Sequence, residues 1–476
     1  MTTAKALWVD DAFHPHTPTL LATGIENLRV MLINRLHTAH DVDLQITKVP
    51  KPLEALGKLM QERFDLVILD LVLDETNPAE NGLALLTHMR DRRATPTAIV
   101  CNEANVTLLE RQLREVKGMY FGLFPKNIDV IDELARQIAN AVTMPPLCAV
   151  VFSDLHTGHP EQDSLFVDAL LRKEFPFIKK HFQPDLLVAT GDFAWKSQSA
   201  ELPSASQFLN TARHALGVHG PNQFQFCPGN HDISLHGEHP WEAYSDFVRS
   251  LTGLEPGITE RFQSSRFGAF YPFREQADLL AVSKLEKQSV LVAALNSVAF
   301  THNPGGARET YGSIGEKQWL CLERRPEHKE TLRDGFVKLA LTHHPMLAAP
   351  SFTTQTGKGD VPIEDQPHAL MNLPRLGYQI LIHGHTHLAC VYECRFNLLG
   401  AAAGVNATSG KLLIVATPTL GAVPNAAAPF RQHLILQLSH YDANARTRTV
   451  TVIPRVYQPG PREWNSGSMF KTEITC

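Results

Sequence analysis

LCAVVFSDLH, residues 147–156, is six apolar residues followed at once by a polar turn that holds Asp154 and His156. The length and composition of the run predict a buried strand, and the polar residues fall just past its end. The same arrangement returns four times. Leu186 to Ala189 precedes Gly191-Asp192, and Phe224 to Cys227 precedes Gly229-Asn230-His231-Asp232. Val337 to Leu341 precedes His343-His344-Pro345, and Ile380 to Ile382 precedes Gly384-His385-Thr386-His387. Side chains at the ends of sheet strands converge on one crevice, so five such loops predict one site.

The residue types narrow its chemistry. Asp154, Asp192, Asn230, His156, His343, His385 and His387 offer carboxylate, carboxamide and imidazole groups. That mixture suits borderline divalent ions such as Mn, Fe, Zn or Ni better than a thiolate site would. One carboxylate can bridge two ions about 3.5–4 Å apart, a geometry that clamps a phosphoryl group.

Upstream, the first ~143 residues alternate short apolar strands with amphipathic helices, which predicts an open parallel sheet covered on both faces. Lys5 to Val9 ends in Asp10 and Asp11, Leu66 to Leu69 ends at Asp70, and Thr97 to Cys101 is a third strand. A helix is expected from about Asp132 to Val142, and Pro145-Pro146 breaks it. The predicted organisation is therefore α/β throughout, with domains at 1–145 and 146–476. Pro304-Gly305-Gly306 and Thr353 to Asp360 read as loops able to border the crevice.

Composition excludes several classes. With 43% hydrophobic and 20% charged residues, the 476-residue chain reads as an ordinary globular protein. A net charge of −5 disfavours a surface built to coat DNA. No apolar run approaches the length of a membrane span, and MTTAKALWVDDAF does not read as a secretory signal, so the expected location is cytoplasmic. Seven scattered cysteines do not form a disulfide framework. Cys390 and Cys394, with Tyr392 between them, read as one face of a strand rather than a metal pair.

The ordered set D-L-H, G-D, G-N-H-D, H-H-P and G-H-T-H, from about Val150 to Leu388, resembles the calcineurin-like metallophosphoesterases. That family is a two-sheet α/β sandwich. The resemblance implies that Asp154, His156 and His387 hold one metal ion and that Asn230, His343 and His385 hold the other. Asp192 would bridge them. His231 would sit over the phosphate, oriented by Asp232, and His344 would be left out. His159, His236, His239 and His302 lie in or near the polar loops, and Arg266 and Arg308 are further phosphate-binding candidates.

W-V-D-D, F-D-L-V-I-L-D and F-P-K-N in the first 143 residues resemble a response-regulator receiver domain, a doubly wound parallel sheet. By that match Asp70 accepts a phosphoryl group, Asp10 and Asp11 hold Mg²⁺, and Lys126 contacts the phosphate. The pattern departs at Cys101, followed by Asn102, where receivers carry Thr or Ser, and in a long stretch between Asp70 and Gly82. A thiol is a poor hydrogen-bond partner for a phosphoryl oxygen.

Together these resemblances imply a binuclear-metal hydrolase of phosphodiester or phosphomonoester bonds, with a phosphodiesterase acting on a nucleotide, cyclic nucleotide or nucleic acid as the favoured reading and with activity or assembly controlled by the N-terminal domain. GDFAWK, residues 191–196, lacks the G-D-x-x-D-R-G of protein Ser/Thr phosphatases, which disfavours a phosphoprotein substrate. A sensor kinase and a second copy of the chain are the implied partners. The alternative is a signalling scaffold whose output is partner binding, with incidental hydrolysis.

Overall fold

A computed structural model describes residues 1–71, 82–89, 92, 95–102, 113, 116, 119–159, 164–196, 200–233, 241–252, 281–298, 312–325, 335–347, 362–397, 409–421, 431–442, 445–459 and 461–476. His236, His239, His302, Arg266, Arg308, the loops at 304–306 and 353–360, and the stretch between Leu71 and Gly82 lie outside them. The chain divides into two compact units. The first comprises Met1–Cys148, Lys180–Gln183 and Gln437–Thr449, and the second comprises Ala149–Lys179, Pro184–Leu436 and Val450–Cys476.

The first unit holds a five-stranded parallel sheet. Its strands are β1 (Thr2–Val9), β2 (Val42–Val49), β3 (Leu66–Leu69), β4 (Thr97–Cys101) and β5 (Gly122–Pro125), in the order β2-β1-β3-β4-β5. That order is the doubly wound arrangement of flavodoxin-like folds and receivers. Alternation along β1 divides the core. Ala6 and Trp8 face α1 (Thr19–His40) and a helix at Ile131–Thr143, whereas Leu7 and Val9 face the helices at Pro52–Gln61 and Gly82–Met89. Both faces are thus covered, and near-continuous apolar strands are what such a sheet requires. Strands β2 and β5 are less apolar at their surfaces, and their periodicity did not announce them.

The second unit is built on two mixed sheets. One runs β13-β14-β12-β11-β10-β9, from β9 (Ala281–Leu285), β10 (Val290–Ala294), β11 (Val337–Thr342), β12 (Ile380–His383), β13 (Cys390–Asn397) and β14 (Ser409–Ala416). The other runs β17-β16-β15-β6-β7-β8, from β6 (Leu147–Phe152), β7 (Leu186–Ala189), β8 (Phe224–Phe226), β15 (Gln432–Leu438), β16 (Thr447–Gln458) and β17 (Glu463–Ser466), with β18 (Phe470–Thr475) paired to β16. Strands β6, β7 and β8 are parallel, as are β10, β11, β12 and β14, so their C-terminal ends lie on one side of each sheet. Cys390, Tyr392 and Cys394 fall at alternate positions of β13, on one face. No described helix is long and apolar enough to cross a membrane.

Candidate metal centre

Each of the five polar loops leaves a C-terminal strand end, and the loops bond to one another before any side chain is considered. The Asp154 N–H donates to the Gly191 carbonyl at 3.0 Å, and the His156 N–H donates to the Asp192 carbonyl at 3.0 Å. Gly229 shows why two of these turns need glycine. A Cβ there would lie 2.2 Å from the Asp192 nitrogen, and one on Gly191, at φ +84°, would lie 2.6 Å from the Gly229 nitrogen. The G-D and G-N-H-D loops touch backbone to backbone, which a side chain would prevent.

This packing fixes two groups of donor atoms. Asp154, His156 and His387 form one, and Asp192, His343 and His385 the other; within each, the ligand atoms lie within 4.8 Å of one another. In the first, His387 Nε2 is 3.1 Å from Asp154 Oδ1 and 3.4 Å from His156 Nε2. In the second, His343 Nε2 is 3.1 Å from His385 Nδ1, 3.1 Å from Asn230 Oδ1 and 3.3 Å from Asp192 Oδ2. Lone-pair atoms aimed at a common point repel unless a proton or cation lies among them, so both groups fit a divalent ion. Asp154, His156, Asp192 and His343 are at most 2% exposed, and Asn230 is 6% exposed.

Backbone strain marks the same positions. Asp154, His156, Asp192, His385 and His387 all have positive φ, between 44° and 66°. Each such residue costs of order 1–3 kcal/mol and persists where the surroundings over-determine it, a pattern concentrated at functional sites.

Electrostatics favours the ligand forms of Asp154, His156, Asp192 and His385, and the protonated forms of His343 and His387. Burial pushes His156 down to about 4 and His385 down to about 3, which keeps both imidazoles neutral. Burial opposes ionisation of Asp154 and Asp192, but the neighbouring histidines outweigh it and hold both carboxyls below the usual range. At His343 burial is likewise overridden, by Asp192, and its value rises to about 9.

The remaining expected residues take definite places. His344 is fully buried, outside both donor groups, with its ring 4.6 Å from that of His385 and its Nδ1 3.1 Å from Ser297 Oγ. Asp232 was expected to orient His231. Its carboxylate accepts backbone N–H groups of Phe193, Ala194 and Gly229 at 2.6, 3.0 and 2.8 Å. The partner found on His231 Nδ1 is the Trp195 carbonyl, at 2.6 Å, and the Trp195 indole stacks on the imidazole. His159 packs against the same indole, centroids 4.3 Å apart. Trp195 carried no signal in the sequence reading, because a tryptophan after Gly-Asp is neither a ligand type nor a catalytic type.

In the first unit, Lys126 Nζ lies 2.5 Å from Asp70 Oδ2 and 2.9 Å from Asp10 Oδ2. Asp10, Asp11 and Asp70 also bring carboxylate oxygens within 4.8 Å of one another, an oxygen set that suits Mg²⁺. Cys101 is fully buried in the core on the Leu7 and Val9 face, and burial pushes its thiol up to about 12.

Among solved structures, the chain is similar to a purple acid phosphatase from yellow lupin (Lupinus luteus) seeds at 12% identity, over 69% of this chain and 53% of that one, with a TM-score of 0.38. It spans about half the length of that phosphatase. It is also similar to a response regulator of Thermotoga maritima, at 20% identity over 30% of this chain and 99% of that one (TM-score 0.21). A CheY-like receiver domain from Methylobacillus flagellatus is 21% identical, over 29% of this chain and 99% of that one (TM-score 0.21). No curated protein matches. Residues 149–389 match the family model described as calcineurin-like phosphoesterase, and with more than half its length in that match the chain belongs to the calcineurin-like phosphoesterase family.

Proposed function

We propose that this chain is a binuclear-metal phosphodiesterase acting on a nucleotide, a cyclic nucleotide or a nucleic acid. In this reading residues 146–476 form the catalytic domain and residues 1–145 a receiver-like domain that controls its activity or assembly. The observation that carries the reading is the pair of donor groups, Asp154, His156, His387 and Asp192, His343, His385, assembled from loops of two sheets, all but His343 at strained backbone positions. Asn230 would complete the second group, and Asp192 would be shared between the two ions. Mn, Fe, Zn or Ni suits this donor set.

Two divalent ions held there would supply Lewis acidity to the phosphoryl oxygens and a nucleophile from water at neutral pH. The protein's own groups supply the rest. His231 binds the phosphate from the leaving-group side, and as an imidazolium it donates its Nε2 proton to the departing oxygen as the P–O bond breaks. Asp232 holds the backbone turns that carry His231 and Trp195. The absence of G-D-x-x-D-R-G and the mildly acidic composition support a nucleotide-type substrate over a phosphoprotein.

For the first unit, the Asp10, Asp11, Asp70 and Lys126 pocket supports phosphorylation at Asp70 by a sensor kinase. The buried Cys101 supports a second reading, a receiver fold used for docking or for pairing with another copy of the chain. The proposed location is cytoplasmic.

Hydrolysis of bis(nitrophenyl) phosphate by the Mn²⁺-loaded protein, before and after chelation, tests the enzymatic reading. Activity that vanishes on chelation and returns with metal is expected. A metal-loaded protein inert towards aryl, nucleotide, cyclic nucleotide and nucleic acid esters overturns it in favour of a scaffold.

A further inference from the structure

Asp232 holds the loop after Asp192 at Phe193 and Ala194, and a second carboxylate, that of Glu201, holds it at Trp195 and Lys196. The Trp195 N–H donates to the Thr157 carbonyl at 3.1 Å and to Glu201 Oε2 at 3.2 Å, and the Lys196 N–H donates to that same oxygen at 2.8 Å. Glu201 opens the helix Glu201–Leu216 and is only 7% exposed. Its side chain fills the space beside Gly158, at φ +93°, where a Cβ would lie 2.8 Å from Oε1. Glycine at 158 therefore admits the carboxylate, and the carboxylate satisfies two backbone donors that would otherwise hold this turn weakly.

What the turn presents is the Trp195 carbonyl, 2.6 Å from His231 Nδ1. A carbonyl oxygen only accepts, so Nδ1 carries a proton, and Nε2 is the atom with which His231 meets substrate. The indole of the same residue lies parallel to the imidazole, 9° between planes and 5.6 Å between centroids, and meets the ring of His156 edge-on at 5.2 Å. Among the described residues, Trp195 is the one ring other than histidine in contact with the imidazoles of this centre.

We infer that Glu201 and Trp195 are positioning residues that act in series: Glu201 fixes the turn, and Trp195 sets the tautomer and direction of the His231 imidazole through its carbonyl and its ring. The inference rests on the proton-delivery reading of His231 given above. Each acts because misdirecting a proton donor by a fraction of its hydrogen-bond length forfeits much of its effect.

The experiment has two arms on the full-length protein. Ring-nitrogen NMR of His231 in the metal-free state reads its tautomer without reference to activity. Wild type, Glu201→Gln and Trp195→Phe are expected to show a protonated Nδ1, since the amide oxygen still accepts both N–H groups and the backbone carbonyl remains. Glu201→Ala is expected to show a mixture of tautomers. In kinetics on the Mn²⁺-loaded protein, Glu201→Ala and Trp195→Ala should lose at least about tenfold in kcat on a nucleoside alkyl diester, and several-fold less on a nitrophenyl ester, with metal content retained. A merely structural role would lower both substrates together. An unchanged tautomer in Glu201→Ala, or equal losses on the two esters where His231→Ala itself discriminates between them, overturns the relay. If His231→Ala does not discriminate, the proton-delivery reading fails, and the NMR arm alone then decides whether Glu201 sets the ring.

Discussion

His343 donates its Nδ1 proton to the carbonyl oxygen of Thr190 at 2.7 Å. Thr190 follows β7 and His343 follows β11, so a backbone group of one sheet aims a ligand carried by the other. With Nδ1 committed, Nε2 is the nitrogen that faces Asp192, Asn230 and His385, so the ring is oriented to offer Nε2 to an ion that displaces its proton. Ser153 Oγ donates to the same carbonyl at 3.1 Å.

This junction has no room for a methyl group. A Cβ on Gly384 would lie 1.9 Å from Ser153 Oγ and 2.8 Å from the Thr190 carbonyl oxygen. Gly384→Ala should displace the loop that carries His385 and weaken metal affinity by about 10–100-fold, the usual cost of disturbing groups that orient ligands. Titration calorimetry with Mn²⁺ measures it, with circular dichroism as the control for folding. Wild-type affinity in the variant would show that the loop relaxes at no cost to the site.

In the proposed binuclear site Asp192 is shared and His387 is not, so the two residues separate the arrangements. Asp192→Asn removes a bridging charge and should lower metal content at both positions together with activity, whereas His387→Ala should lower chiefly one. Metal analysis of the purified variants reads this directly. Two ions retained with full activity in Asp192→Asn would remove the binuclear arrangement.

The candidate donor groups were legible because metal chemistry restricts residue types, and because a loop that leaves a buried strand must show polar residues at a fixed place. The parallel sheet of residues 1–143 was legible through β1, β3 and β4, whose apolar runs are continuous. Trp195 and Glu201 were not legible, since one acts through its backbone carbonyl and the other through backbone N–H groups, and neither use leaves a pattern in residue type. The bonds of Asp232 were not legible for the same reason: its carboxylate serves the backbone N–H groups of Phe193, Ala194 and Gly229.

A buried ion pair away from the metal centre gives a stability prediction. Glu174 accepts from Arg455 at 2.8 and 2.9 Å, and His433 lies 3.4 Å away. Burial alone would raise the Glu174 carboxyl, but His433 and Arg455 outweigh it and hold it below its ordinary 4.5. A carboxyl held low in the folded state adds stability that is present above pH 4.5 and is lost as pH falls through its folded value. Glu174→Gln should therefore flatten stability below that pH. At neutral pH it should cost about 3–5 kcal/mol by leaving Arg455 uncompensated. Urea unfolding across pH tests both, and parallel pH profiles for the two proteins would reject the assignment.

Asp70 gives the test of control. A phosphoryl group there adds negative charge beside Lys126, now 2.5 Å from the carboxylate, and must break or remake that ion pair. Treatment with a small phosphodonor and Mg²⁺ is expected to change hydrolase rate or oligomeric state in wild type but not in Asp70→Asn. Identical responses in the two proteins would leave the first unit as a docking module, the reading that the buried Cys101 supports.

The role of His231 separates by leaving group. Its Nδ1 is bound to the Trp195 carbonyl, so proton delivery must come from Nε2 of the imidazolium. A nucleoside alkoxide is a poor leaving group and needs that proton, whereas nitrophenolate leaves nearly as well without it. A general acid typically contributes about 10²–10⁴-fold. His231→Ala should lose activity of that order on a nucleoside or alkyl ester and much less on a nitrophenyl ester. Metal content should stay unchanged, because His231 belongs to neither donor group. If His231 only stabilises charge on the phosphate, the two esters lose equally, since both develop the same phosphoryl charge whatever group departs. Steady-state kcat on a matched pair of diesters decides between the two roles, and equal losses would eliminate proton donation.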